Sequence, residues 1–410
     1  MPNGLKESSD MNIGILLDYD EKWMGGVNYI KNFIKTIAFL PKEKKPHLII
    51  ITNIRFKKII RDQLNHNDKI EVKTFILPRV VIFFLSRPLR IKVQDFFRYF
   101  QIKSIARSMK IDILFPVTNP RDFKLPTKLI GWIPDFQHLY LQELFSKEEI
   151  ATRTLSFTHL AESVHGVVVS SNVVKQDFEK IFPWYKGNIF VYSFCTVLEN
   201  KYKIKRIEEL TKEHGISPQF FYLPNQFWVH KNHWIVFRAL AMLKEKGINI
   251  QVVCTGSSHE YRNQQHFQQL MEYKEKNQLD IINLGLVSQE IQYSLYCCAH
   301  AVIQPSLFEG WSSIVEDAKA FQKTIILSDL PVHREQNPSK VVYFDPNDVN
   351  DLARKMLEIW SREPEENVNL NELFNRQIQR IKENALVLED VFGKTLSLGN
   401  MQRGKVNEEK

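Results

Sequence analysis

Short runs of β-branched and apolar residues alternate with helix-like text along almost all of this chain, and that alternation restricts the fold more than any other feature. Asn12 to Asp18 reads as a buried strand, and a loop with Gly25-Gly26 leads into an apolar-periodic helix from Val27 to about Leu40. Pro46 to Thr52 follows as a strand, and Ile111 to Val117, Lys128 to Ile133 and Gly166 to Ser170 continue the series. Strands separated by helices cannot pair as hairpins, so the pattern predicts a parallel sheet covered on both faces.

The scheme starts again after the polar stretch Glu199 to Ser217. Phe220 to Pro224, Ile248 to Thr255, Ile281 to Leu284, Ala301 to Pro305 and Thr324 to Ser328 read as strands. Between them, His230 to Lys246, Glu260 to Asn277, Ser288 to Ala299 and about Ser313 to Phe321 read as helices. A chain of 410 residues exceeds the usual domain of about 100 to 200 residues. The expected organisation is therefore α/β with two Rossmann-like domains, 11–200 and 218–370. Helical text at 371–395 is long enough to cross back onto the first. Two such sheets facing each other leave a cleft at the carboxyl ends of their strands, where ligands bind.

Composition limits the function classes. With 44% hydrophobic and 25% charged residues the chain has material for two ordinary cores. Its four cysteines, Cys195, Cys254, Cys297 and Cys298, lack C-x-x-C spacing and suggest neither a disulfide framework nor a zinc site. The polar start, Met1 to Asp10, has no signal-like apolar stretch, and no run approaches the roughly 18 apolar residues of a membrane span. The expected location is cytoplasmic, with peripheral attachment to the inner membrane face as a variant. The net charge of +8 favours anionic partners. Basic residues concentrate between Arg79 and Lys110 around one acid, Asp95, interleaved with Phe96, Phe97, Tyr99 and Phe100. That stretch reads either as a docking surface for an anionic membrane or as a core helix with a solvated charged face.

The chemistry-bearing text lies in the second half. After the strand Ala301 to Gln304 come Ser306-Leu307-Phe308-Glu309-Gly310-Trp311-Ser312-Ser313-Ile314-Val315-Glu316-Asp317-Ala318. A strand ends, a glycine turn follows and a helix begins. Gly310 lets backbone approach a ligand, and the amides of Trp311, Ser312 and Ser313 at the positive helix end suit a diphosphate. Glu309 and Asp317 are eight residues apart, and if both face the ligand, one acid can reach sugar hydroxyls and the other a ribose diol. By itself the segment reads equally well as a serine-capped helix with acids in its first turns, and Glu316 competes with Asp317.

Phe308-Glu309-Gly310-Trp311-Ser312 through Glu316-Asp317-Ala318, then Ile325-Ile326-Leu327-Ser328-Asp329, resembles the E-x7-E block of family-4 retaining glycosyltransferases with the GT-B fold. The resemblance implies that Glu309 lies against the donor sugar and that Asp317, one methylene shorter than the usual glutamate, binds the ribose. Leu223-Pro224-Asn225-Gln226-Phe227-Trp228-Val229-His230-Lys231-Asn232-His233 resembles the block that neutralises the donor diphosphate. Lys231 fills the lysine position, and Gln226 stands five residues earlier where an arginine is usual. His230 or another cation is then the expected compensation. Asn283-Leu284-Gly285-Leu286-Val287 resembles the turn whose backbone, at Leu286, contacts the nucleotide base. Gly25-Gly26-Val27 resembles the glycine loop near the phosphates and acceptor, and Trp132-Ile133-Pro134-Asp135-Phe136-Gln137-His138 the segment that brings a histidine, His138, to the cleft.

The resemblance is strong over residues 220 to 337 and weak before about 130. It implies a retaining hexosyl transfer from a UDP- or GDP-linked sugar to a glycan or lipid-linked acceptor, in surface polysaccharide or glycoconjugate synthesis. Lys231, Glu309 and His138 carry it. Asp18-Tyr19-Asp20 matches the D-x-D pattern by which the other major glycosyltransferase fold binds a divalent ion, but a lysine and helix ends replace that ion here, so no metal or other cofactor is expected. A nucleotide-sugar epimerase or a phosphorylase would use a similar cleft. A nucleic-acid-binding role rests on the basic charge alone, without a recognisable module, so nucleic acid is not an expected partner.

Overall fold

The structure, a computed structural model, describes residues 10–17, 24–53, 70–75, 87–118, 127–260, 262–364 and 369–398. Asp18-Tyr19-Asp20, the first part of the basic aromatic stretch and the tail from Arg403 lie outside these residues.

Thirteen described strands form two sheets. The first contains β1 (Asn12–Leu17), β2 (His47–Asn53), β3 (Ile70–Phe75), β4 (Ile113–Val117), β5 (Lys128–Ile133), β6 (Gly166–Val169) and β7 (Asn188–Val191), in the order β3-β2-β1-β4-β5-β6-β7. The second contains β8 (Phe221–Leu223), β9 (Val252–Cys254), β10 (Ile281–Asn283), β11 (Ala301–Gln304), β12 (Ile325–Ser328) and β13 (Val341–Phe344), in the order β10-β9-β8-β11-β12-β13. Every pairing is parallel. Each sheet reverses its winding once, between β1 and β4 and between β8 and β11. Crevices at such switch points are where open α/β sheets bind ligands.

The β-branched composition of these strands follows from burial on both sides. Successive residues of a strand point to opposite faces. In β2, Leu48 and Ile50 join one core, while Ile49 and Ile51 join the other. In β8, Phe221 and Leu223 face one side and Tyr222 the other.

The long final helix, Leu370–Ser397, joins the two halves. Leu370 and Leu373 pack into a core of the second sheet, and Ala385, Leu388, Val391 and Phe392 pack into a core of the first. Ile381, Ala385, Leu388, Phe392 and Thr395 repeat at three- and four-residue steps, which places one stripe against the protein. Phe392 meets Phe33 with ring centroids 6.0 Å apart. Its truncation to alanine costs about 3 to 5 kcal/mol by the usual cavity argument.

Several boundaries differ from the sequence reading. Gly25 and Gly26 belong to the first turn of the helix Met24–Ile37 instead of a preceding loop. The helix expected from His230 is interrupted: a single turn, Val229–Lys231, ends at Asn232, whose φ of 54° breaks the helix before it resumes at His233–Glu245. Asparagine enters this left-handed region more readily than most residues. After β13 the chain forms two helices, Val349–Trp360 and Leu370–Ser397, and the second contains the helical text expected at 371–395.

Candidate active site

The second sheet's switch point is where the two predicted blocks meet. Lys231 follows β8 and Glu309 follows β11, and Lys231 Nζ donates to Glu309 Oε1 at 2.6 Å. The same oxygen accepts from Gln304 Nε2 at 2.9 Å. Gln304, the last residue of β11, also donates to Ser312 Oγ at 2.8 Å and accepts from Asn225 Nδ2 at 2.7 Å. A backbone bond from Leu307 N to His230 O, 2.8 Å, ties the two loops together. The result is a rigid frame in which one carboxylate and one ammonium have fixed positions, and fixed charges lose little reorganisation energy when a ligand binds.

Burial alone would push the Glu309 carboxyl up, but the charge and hydrogen bond of Lys231 outweigh it and hold Glu309 below the usual carboxylate range. His333 lies nearby. It is buried, its pKa is lowered to about 4 by desolvation, and its Nδ1 contacts Ser328 O at 2.8 Å, so it stays neutral.

Gly310 is required by a protein contact. A Cβ there would stand 2.2 Å from Pro134 O and 2.8 Å from Asp135 Cβ. The sequence pattern points to close approach of a ligand at this glycine; the backbone it admits is the turn that follows β5 of the opposite sheet. Around this point, Tyr140 packs on Phe308, with ring centroids 5.4 Å apart, and Trp311 Nε1 donates to Phe194 O at 2.8 Å. Glu335 accepts from Asn172 N at 2.7 Å and from Val173 N at 3.0 Å, at the start of the helix Asn172–Ile181.

The expectation that Ser312 offers a free amide is corrected. Ser312 is buried and its N–H donates to Gln336 Oε1 at 3.1 Å, while Gln336 Nε2 donates back to Ser312 O at 3.0 Å. No hydrogen bond from the Trp311 or Ser313 amide is found among the described residues.

The two adjacent acids of the helix Ser313–Ala320 part company. Glu316 is fully buried and bonds Arg380 of the final helix, with Lys319 3.3 Å and Gln336 3.1 Å away. Asp317 accepts from Thr196 Oγ1 at 2.6 Å and Tyr296 OH at 3.2 Å. Burial pushes its pKa up to about 7, against the lowering by those two hydroxyls. Glu316 thus fastens the final helix, and Asp317 meets the crossover that leaves the first sheet after β7.

His230 does not supply the second cation. It is buried, and desolvation followed by the charges of Lys231 and Arg262 holds its pKa well below the usual value. The nearby cation is Arg262, which the sequence reading missed. Its guanidinium lies 5.9 Å from the Trp228 ring and 5.2 Å from the Phe145 ring, and pairs with Glu260 at 2.9 Å. Glu260 in turn accepts from Val229 N at 3.2 Å, bracing the turn that carries Lys231. Gln226 precedes that turn, and its carbonyl accepts from Trp228 N at 2.7 Å.

Gly285 has φ of 64°, and its carbonyl accepts from Gly256 N at 2.8 Å; the next residue, Leu286, is 75% exposed. Gly256 is a second residue not singled out by sequence: its φ is 132° and a Cβ would stand 2.4 Å from Asn225 O. It brings the loops after β8, β9 and β10 into one layer.

His138 is buried beside Phe136 and Phe157, and its Nε2 lies 3.2 Å from Thr154 Oγ1. Desolvation, helped by Arg153, lowers its pKa to about 4, leaving it neutral. The residue of this segment that stands within electrostatic reach of Lys231 and Glu309 is Asp135. Gly25 and Gly26 lie in the helix after β1 in the first sheet. Among the described residues no group of three histidine, cysteine or acidic side chains could hold a metal ion.

Two parallel sheets with helices on both faces, each with one switch point and joined by the final helix, define the GT-B fold. Residues 205–377 match the model of the glycosyl transferases group 1 family, and this segment holds Lys231, Glu309 and Asp317. Residues 205–377 are therefore similar to a group 1 glycosyltransferase domain. Among solved structures, the sucrose-phosphate synthase of Thermosynechococcus elongatus is similar at 14% identity with a TM-score of 0.68, covering 95% of this chain and 100% of that one. The Anabaena protein Alr3699/HepE, solved with UDP and glucose, is similar at 15% identity with a TM-score of 0.65, covering 94% and 99%. A glycosyltransferase from Rickettsia africae shows 16% identity, a TM-score of 0.61 and coverage of 95% and 100%. Among curated proteins none matches the sequence significantly.

Proposed function

We propose that the chain transfers a hexosyl group from a UDP- or GDP-linked sugar to a glycan or lipid-linked acceptor with retention of anomeric configuration. The observation that carries this reading is the Lys231–Glu309 pair at the switch point between β8 and β11. The ammonium neutralises charge developing on the departing nucleoside diphosphate, and the positive end of the helix Ser313–Ala320 adds to it. Glu309 accepts hydrogen bonds from hydroxyls of the transferred sugar. The loops after β8, β9 and β10 carry the nucleotide, with Leu286 beside the base and Asp317 toward the ribose. No metal or other cofactor takes part in this scheme. Structures of Alr3699/HepE with UDP and with UDP-glucose support a nucleotide-sugar as the donor.

The acceptor side belongs to the first half, residues 11–200, where Gly25 and Gly26 open the helix after β1. The helix Arg87–Ser108 exposes Phe96, Phe97 and Phe100, and Lys103, Arg107 and Lys110 follow on the same basic stretch. Exposed aromatics beside cations suit the headgroup layer of an anionic membrane, which supports peripheral attachment on the cytoplasmic face and a role in surface polysaccharide or glycoconjugate synthesis. No helix among the described residues is long and apolar enough to cross a membrane.

The test is thermal stabilisation of the purified chain by UDP, GDP, UDP-glucose, UDP-galactose, UDP-N-acetylglucosamine and GDP-mannose. A ligand at a hundred times its Kd stabilises by about 2.7 kcal/mol, an easily measured shift. A chain indifferent to all six has no donor site of this kind. Product analysis by NMR then separates transfer with retention from epimerisation, phosphorolysis or inversion.

A further inference from the structure

The segment after β5 turns its histidine, His138, toward Thr154, and the side chain within electrostatic reach of the Lys231–Glu309 pair is the carboxylate of Asp135. Asp135 stands at the carboxyl end of β5, on the opposite wall from β11. Its Cβ is 2.8 Å from where a Cβ on Gly310 would be, so it lies directly across from the residue that follows Glu309. Its Oδ1 accepts from Gln137 N at 3.0 Å, which fixes the side chain at the start of the short helix Gln137–Tyr140. Burial, and then the nearby charge of Glu309, raise its pKa, while the Gln137 amide, Arg153 and Lys231 oppose that shift. A half-buried acid facing another acid is costly unless something donates to it.

We propose that Asp135 is a second sugar-binding carboxylate, which holds hydroxyls of the donor's transferred sugar from the first-sheet wall while Glu309 holds them from the other. The inference rests on the donor site proposed above. Sugar hydroxyls are strong donors, and bridging two opposed carboxylates satisfies both acids at once. It also gives this wall a say in which sugar is accepted, because the position and direction of a hydroxyl decide whether it can reach both acids.

Asp135→Asn is the informative variant. Its amide oxygen can still accept from Gln137 N, so the short helix is kept, but the charge is gone. Affinities for UDP and UDP-glucose, and for GDP and GDP-mannose, are measured by titration calorimetry on both chains. The expected result is nucleotide affinity unchanged within twofold and nucleotide-sugar affinity reduced roughly ten- to hundredfold, the weight of a hydrogen bond to a charged group. Asp135→Glu, which restores the charge one methylene further out, is expected to recover part of the loss. If Asp135→Asn binds nucleotide and nucleotide-sugar as the parent does, or loses both equally, the proposal is overturned. A parent chain that binds none of the four ligands instead sinks the donor-site reading itself.

Discussion

Lys231 Nζ and Glu309 Oε1 are 2.6 Å apart although 78 residues separate them in the chain, and both side chains are largely shielded from solvent, at 16% and 10% exposure. The pair exists because β8 and β11 are neighbours in the sheet, so the loops that follow them open side by side. Lys231 holds the Glu309 carboxyl ionised in a place where burial alone would penalise that charge.

Removing one partner therefore leaves a buried charge. Lys231→Ala and Glu309→Ala are each expected to lower donor turnover by about a hundredfold or more, the usual scale for losing a fixed electrostatic contact. Each also loses about 3 kcal/mol of stability in urea unfolding. The double variant Lys231→Met with Glu309→Gln recovers most of the stability and none of the turnover. Single variants with parental turnover would contradict the site.

Asp317 makes stability depend on pH in a defined direction. Its pKa is raised from 3.8 to about 7 in the folded chain, so between those values the folded state holds a proton that the unfolded state has released. Stability from this group is fully present below about pH 4 and is lost as pH rises through about 7. Asp317→Asn removes that dependence. The stability of Asp317→Asn minus that of the parent is expected to grow by about 4 kcal/mol from pH 4 to pH 8. A difference that is flat, or that shrinks with rising pH, refutes the assignment.

Gly310→Ala tests the contact between the two walls. The new methyl group meets a backbone carbonyl, Pro134 O, which has no rotamer by which to yield. The loops must separate, at a cost of about 1 to 3 kcal/mol. Turnover is expected to fall at least tenfold with far-ultraviolet circular dichroism unchanged, since neither sheet is touched. Parental turnover would mean that this contact is not needed for the reaction.

Much of the fold was legible because most strands are buried on both faces and so read as continuous β-branched runs. The strands that escaped the reading, β3, β7 and β13, all lie at sheet edges. Described residues of β3, β7 and β13 are mostly half-buried or exposed, so their sequences IEVKTF, NIFV and VVYF carry a weaker or shorter apolar signal. Glu309, Lys231 and Gly310 were legible because local strand-turn-helix text marks them. Arg262, Gln304, Gln336 and Gly256 carry no such mark, since their roles depend on partners up to more than a hundred residues away.

The sequence by itself determined the alternation of strands and helices, the two-sheet plan and the text of both donor-side blocks, because these depend on periodicity and turn chemistry within a few residues. Tertiary structure alone decided the rest. It joined Lys231 to Glu309, gave Glu316 to the final helix and Asp317 to Thr196, and used the Ser312 amide for Gln336. It also set Asp135, in place of His138, opposite the pair. Such outcomes turn on which loops the two sheets bring together and on the desolvation each charge meets there, and neither quantity is local in the chain.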